Sequence, residues 1–154
     1  AMMKKYKTFG ELFEHFATLT KQNDKADLLV AHNTAPLQYF LHLAMQTEIA
    51  WKLPEGAPPY KADRAVVGYS PSHLFREMRS VYLFLDLPDV QLQQTRREQL
   101  FQQMLERLHP TEAELLIAVK DRTFMTKYKC PKAIITKAFP HLALMTFRGR
   151  LFTG

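Results

Sequence analysis

Six histidines, one cysteine and a clustered set of lysines and arginines are the residues of this chain with the most chemical potential. His15, His32, His42, His73, His109 and His141 are dispersed. None stands with another histidine or a cysteine at zinc-finger or metalloprotease spacing, so no metal site is expected. Cys130 lies among Lys127, Lys129 and Lys132, whose charge should lower the thiol pKa and favour thiolate. A cysteine nucleophile also needs an oriented base and an oxyanion site, and the sequence identifies neither. Glu11 with Glu14, and Glu112 with Glu114, have the form of carboxylate pairs. Both stand at expected helix starts, where acids complement the helix dipole and complete caps. The five glycines are in neither Walker nor Rossmann spacing. The expectation is a protein without catalytic centre, cofactor or metal.

The segment from Lys120 to Lys132 differs from the rest. From Lys120 onward there are eight bases, namely Lys120, Arg122, Lys127, Lys129, Lys132, Lys137, Arg148 and Arg150, against the single acid Asp121. The preceding residues hold thirteen bases against fourteen acids. A near-neutral body with a basic end fits a polyanion partner. The basic loop runs directly into an expected helix that begins after Pro131, and backbone N–H groups there would add to the lysines as phosphate donors. The candidate DNA contacts are Lys120, Arg122, Thr123, Lys127, Lys129, Lys132, Thr136 and Lys137. No side-chain pattern for reading base edges is present, so contacts should be to phosphate.

The elements that must position these residues are helices. Thr8-Phe9-Gly10-Glu11 is a capping box opening a helix to about Lys21, with Leu12, Phe13, Phe16 and Leu19 on one face. Asn23 or Asp24 caps a second, short helix, and Thr34 a third, with Pro36 in its first turn and a stripe of Leu37, Phe40, Leu41, Ala44 and Met45. Residues 53–69 hold Pro54, Gly56, Pro58, Pro59 and Gly68, and read as an ordered surface loop packed by Tyr60 and Tyr69. Ser70-Pro71 opens a helix bearing Leu74, Phe75, Met78, Val81, Tyr82 and Leu85. Two more capping boxes, Thr95-Arg96-Arg97-Glu98 and Thr111-Glu112-Ala113-Glu114, open neighbouring antiparallel helices divided at His109-Pro110. Residues 122–130 read as a loop, and Lys132–Phe139 as a last helix stopped by Pro140. Short strand pieces are conceivable only at Ala65-Val66-Val67 or in the tail. The expected fold is all-α, a bundle of about six to seven helices, with one domain over residues 4–140 and a tail over 141–154. The tail residues Phe147, Arg150, Leu151 and Phe152 form an apolar-aromatic end suited to a partner's groove.

No apolar run approaches the roughly 20 residues of a membrane span. The basic start, Lys4-Lys5-Tyr6-Lys7, leads into an amphipathic segment and not into a signal peptide. The opening Ala1-Met2-Met3 reads as a cloning remnant ahead of a natural start methionine. One cysteine excludes an internal disulfide and fits a reducing cytoplasm.

Two resemblances follow from these segments. Leu37-Gln38-Tyr39-Phe40 to Trp51-Lys52-Leu53-Pro54, Glu114-Leu115-Leu116-Ile117-Ala118-Val119-Lys120-Asp121-Arg122, and Lys132-Ala133-Ile134-Ile135-Thr136-Lys137-Ala138-Phe139-Pro140 resemble the N-terminal helical DNA-binding domain of T4-type phage ATP-dependent DNA ligases. That resemblance implies an all-helical fold gripping the duplex backbone, mainly across the minor groove. It does not imply ligation, because Lys120-Asp121-Arg122-Thr123 does not fit the catalytic Lys-x-Asp-Gly signature. The chain also resembles an uncharacterised family of small proteins of T4-like tailed phages. The carriers are Trp51-Lys52-Leu53-Pro54-Glu55-Gly56-Ala57-Pro58-Pro59-Tyr60-Lys61 and His109-Pro110-Thr111-Glu112-Ala113-Glu114-Leu115-Leu116-Ile117-Ala118-Val119-Lys120-Asp121.

The expected function is a non-catalytic phage protein, working in the host cytoplasm. It would bind duplex DNA through phosphates without strong sequence specificity, either standing alone or in association with a replisome. The alternative is a module that binds a host or phage protein, such as a defence protein, a polymerase or a sliding clamp.

Overall fold

The computed structural model describes residues 4–62 and 69–147. The fold is all-α. Its α helices are α1 (Phe9–Thr18), α2 (Gln22–Ala31), α3 (Ala35–Met45), α4 (Leu74–Glu77), α5 (Gln94–Arg107), α6 (Pro110–Lys120), α7 (Phe124–Lys127) and α8 (Lys132–Ala138). Two 3-10 helices, Met78–Phe84 and Pro140–Ala143, complete the order. Among the described residues the sole β pairing is an isolated antiparallel bridge between Trp51 and Leu85. The expected strand piece at Ala65-Val66-Val67 lies outside the described residues.

The first capping box forms as expected: Thr8 Oγ1 accepts from the Glu11 N–H at 3.2 Å and donates to Glu11 Oε1 at 2.9 Å. Thr34 caps α3 in the same way, accepting from the Leu37 N–H at 3.2 Å. α2 begins earlier than expected, with Lys21 at its cap and no side-chain capping bond. The Asn23 side chain instead accepts from Lys137 Nζ.

Three further helix starts differ from the sequence reading, two of them where a polar side chain of an expected capping box is drawn into the interior. The helix expected from Ser70 starts at Leu74 and becomes 3-10 at Met78. A 3-10 helix has three residues per turn, so Met78, Val81 and Phe84 fall on one face, and all three are fully buried. α5 starts at Gln94, ahead of the expected box at Thr95, and its cap makes no side-chain bond. Arg97 of that box is buried and closes the preceding loop, donating to the carbonyls of Leu83 at 3.1 Å and Leu92 at 3.0 Å. α6 starts at Pro110, where His109 Nδ1 accepts from the Thr111 N–H at 3.2 Å. Thr111 therefore lies inside the helix and not at its cap, and Glu112 turns inward.

Glu112 is 1% exposed. Its carboxylate accepts from the N–H of Gly10 at 3.2 Å and of Leu74 at 3.0 Å. Burial pushes its pKa up, opposed by those N–H groups, the charge of His73 and the Phe9 N–H. Residues of α1, α4 and α6 are thus joined through one acid.

The core is aromatic at its centre. Phe13 and Phe40 each meet Phe124 edge-on, with ring centroids 5.2 Å apart. Phe13 also meets Phe16 at 5.7 Å. Fully burying such a ring contributes up to about 3 kcal/mol, and edge-to-face pairs add about 1 kcal/mol. Because Phe124 belongs to α7, this cluster fixes the basic segment against α1 and α3. Of the tyrosines expected to pack the proline-rich loop, Tyr60 lies against the core, but Tyr69 is 81% exposed. The described part of the tail returns to the body: Leu142 and Phe147 are buried, and Phe147 packs against Tyr39 with centroids 5.3 Å apart.

Candidate nucleic-acid interface

The basic segment is a chain of capped turns. α6 ends in a Schellman motif: the Thr123 N–H donates to the Ala118 carbonyl at 2.8 Å and the Arg122 N–H to Val119 at 3.2 Å. Arg122 takes the left-handed position with φ 61°. α7 follows for one turn, where a loop was expected, and ends in a second such motif. There the Cys130 N–H donates to Met125 at 2.9 Å and the Lys129 N–H to Thr126 at 3.3 Å, with Lys129 at φ 55°. Pro131 then caps α8.

Lys127, Lys129, Lys132 and Lys137 are exposed, as are Arg122 and Thr123, while Thr136 is half-buried. α2 packs on α8 and brings further groups to the same region. Lys25 Nζ donates to the Lys129 carbonyl at 2.6 Å, and Lys137 Nζ bonds Asn23. Lys21, exposed at the cap of α2, stands two residues before Asn23. Sequence reasoning did not join α2 to this surface, because the two stretches are over 100 residues apart in the chain. Acids delimit it on one side: the charges of Glu114 and Glu14, behind the larger effect of burial, push the Tyr128 hydroxyl up to about 12.

Lys120 is not on this surface. Its side chain is 2% exposed. Its ammonium donates to the carbonyls of Pro54 at 2.8 Å and Gly56 at 3.0 Å and pairs with Asp121. Asp121 in turn accepts from the Gly56 N–H at 3.1 Å. An ammonium has three donors, and these three acceptors use them all. The residue fastens the proline-rich loop to the end of α6. A cavity of about 280 Å³ lies between that loop and α5, lined by Leu53, Pro54, Pro58, Glu98, Phe101 and Lys120. Pairing Lys120 with Asp121 offsets one charge of each sign, so residues 122–137 contribute five exposed bases and no acid, while α2 adds the exposed acids Asp24 and Asp27 beside Lys21.

The expected thiolate at Cys130 is overturned. The side chain is fully buried, and desolvation pushes its pKa up to about 12, against a smaller opposing effect of Lys25. The neighbouring lysines point their heads to water, where their charge does not stabilise a thiolate in the core.

The histidines act in the framework. His32 Nε2 accepts from the Tyr6 N–H at 2.9 Å, and its Nδ1 lies 2.8 Å from the Leu28 carbonyl, which assigns the proton to Nδ1. His15 bonds the Tyr6 hydroxyl at 2.6 Å. Among the described residues no group of three or more His, Cys, Asp or Glu is placed to hold a metal ion, and no helix is long and apolar enough to cross a membrane. Of the expected tail contacts, Phe147 is buried in the domain, and Arg150, Leu151 and Phe152 lie outside the described residues.

The chain is thus an all-α domain whose exposed α7–α8 face is basic. Residues 13–126 match the model of a family of unknown function, DUF6433, and the chain belongs to that family. No curated protein and no solved structure matches it.

Proposed function

We propose that this is a non-catalytic phage protein that binds duplex DNA through the phosphate backbone in the host cytoplasm, without strong sequence specificity, either standing alone or in association with a replisome. The observation that carries the reading is the exposure of Arg122, Lys127, Lys129, Lys132 and Lys137, with no acid among residues 122–137. Phosphate contact requires positive charge and donors in a fixed frame, and the Phe124 cluster and the Lys25 bond supply that frame. The phage source and the ligase-type DNA-binding domain rest on the resemblance of the sequence segments.

Fluorescence anisotropy with labelled nicked and intact duplexes tests it. The expected result is micromolar binding at low salt, with log K falling by about 0.9 per phosphate contacted for each unit of log salt. No binding to either duplex at low salt overturns the proposal.

One observation favours a second reading, as a module that binds a host or phage protein. Leu144 is 89% and Met145 49% exposed, side by side after the last 3-10 helix. Substituting both by serine leaves Leu142 and Phe147 in the core. That change should abolish the binding of any protein partner that uses this end, and an unchanged affinity would exclude the docking role.

A further inference from the structure

Arg122 and Lys129 are the non-glycine residues with left-handed backbone among the described residues, at φ 61° and 55°. Each occupies the position after a helix cap where glycine is the usual residue, because a Cβ there crowds the neighbouring carbonyl. The two sites are built alike, with the same pair of Schellman hydrogen bonds, and they bracket the single turn of α7. At both the chain carries a long cation in place of glycine, and both side chains are exposed.

The fold makes little use of either charge. Neither joins the ion pairs found among the described residues. The guanidinium of Arg122 makes one long contact, 3.4 Å to the Ile49 carbonyl. A cation near a helix C-terminus does complement the dipole. For Lys129, however, α7 is one turn long and its dipole correspondingly small. The left-handed backbone at each site secures the Schellman hydrogen bonds, which glycine would secure without strain, so what the cation adds there is exposed charge. The acid beside Arg122 does not offset it toward solvent, because Asp121 is paired with Lys120 and the Gly56 N–H.

We propose that Arg122 and Lys129 are the principal phosphate anchors of the duplex-binding face, held at the two ends of α7. This rests on the DNA-binding reading above and assigns its energetic centre. Lys132 and Lys137, on the regular backbone of α8, then serve as secondary contacts.

The test is the double variant Arg122→Gly/Lys129→Gly, compared with Lys132→Ala/Lys137→Ala. Each is melted thermally and titrated by anisotropy against a short random-sequence duplex over a range of salt. Glycine removes the strain and the charge together. The expected double-glycine variant melts no lower than wild type, loses about tenfold or more in affinity, and shows a salt slope shallower by about two. The α8 variant should lose distinctly less. Arg122→Asn/Lys129→Asn, which also tolerates the left-handed region, should bind as weakly as the glycine variant. Binding by the double-glycine variant within about twofold of wild type overturns the assignment while leaving DNA binding intact. So does a loss no greater than that of the α8 variant. A lower melting temperature in both the glycine and asparagine variants overturns the premise, since the cations would then be structural. Absence of wild-type binding overturns the functional reading itself, and this assignment with it.

Discussion

The backbone N–H of Gly10 donates to the carboxylate of Glu112, 102 residues away in sequence, at 3.2 Å. The other oxygen of that carboxylate takes the Leu74 N–H, so one side chain satisfies the N-terminal turns of both α1 and α4. Glu112→Ala leaves buried N–H groups without an acceptor, each costing about 1–3 kcal/mol. The expected result is a destabilisation in that range or above, read from urea unfolding midpoints. A midpoint unchanged from wild type would remove Glu112 from this role.

Gly10→Ala should also destabilise, although alanine is the better helix former by about 1 kcal/mol. An added Cβ would lie 2.4 Å from Thr111 Oγ1 and 3.1 Å from Glu112 Cγ. Thr111 Oγ1 is itself bonded to His109 at 2.8 Å and is not free to swing away. The overpacking penalty of about 1–3 kcal/mol should win over propensity. A rise in melting temperature would show that α1 and α6 can separate at no cost.

Lys120→Met should lower stability by about 3 kcal/mol, the lower end for breaking a buried pair. The lower end applies because Asp121 keeps 15% exposure and the Gly56 N–H. It should leave the salt dependence of duplex binding unchanged, in contrast to Lys127→Ala or Lys129→Ala. A shallower salt slope in Lys120→Met would mean that its ammonium reaches phosphate.

His42 Nε2 lies 3.2 Å from the carbonyl of Met145, which ties the last described residues to α3. Burial holds its pKa below the ordinary imidazole range, despite that carbonyl and the charge of Glu48. The folded protein therefore favours neutral His42, and the unfolded chain takes up the proton first as pH falls. This share of stability is present above the ordinary imidazole pKa of about 6.5 and is lost as pH drops below it. Melting temperatures of wild type should fall more than those of His42→Gln between about pH 7.5 and 5.5. Parallel pH profiles would rule out the linkage.

The Cys130 thiol should resist a thiol-specific disulfide reagent in the native protein at neutral pH and react promptly in denaturant. Its burial and its pKa of about 12 suppress both access and thiolate. Stoichiometric labelling of the native protein within seconds would contradict this environment.

Local signals in the sequence determined the helical class, the caps at Thr8 and Thr34, the apolar stripes of α1 and α3, and the bounds of α8 to within a residue. These depend on neighbours three or four positions apart, which the chain itself fixes. The sequence also located the basic segment, since net charge needs no fold to be counted. Tertiary structure alone decided the use of each polar side chain. Thr95 and Thr111 had the spacing of capping residues, yet Arg97 and Glu112 were drawn into bonds with distant backbone, and the helices began elsewhere. Lys120 and Lys129 read alike in the sequence; one is buried beneath the proline-rich loop and the other exposed after a left-handed turn. The difference arises because burying a charge is tolerable only where several acceptors converge on it. For Lys120 those acceptors come from Pro54, Gly56 and Asp121, two of them more than 60 residues away along the chain.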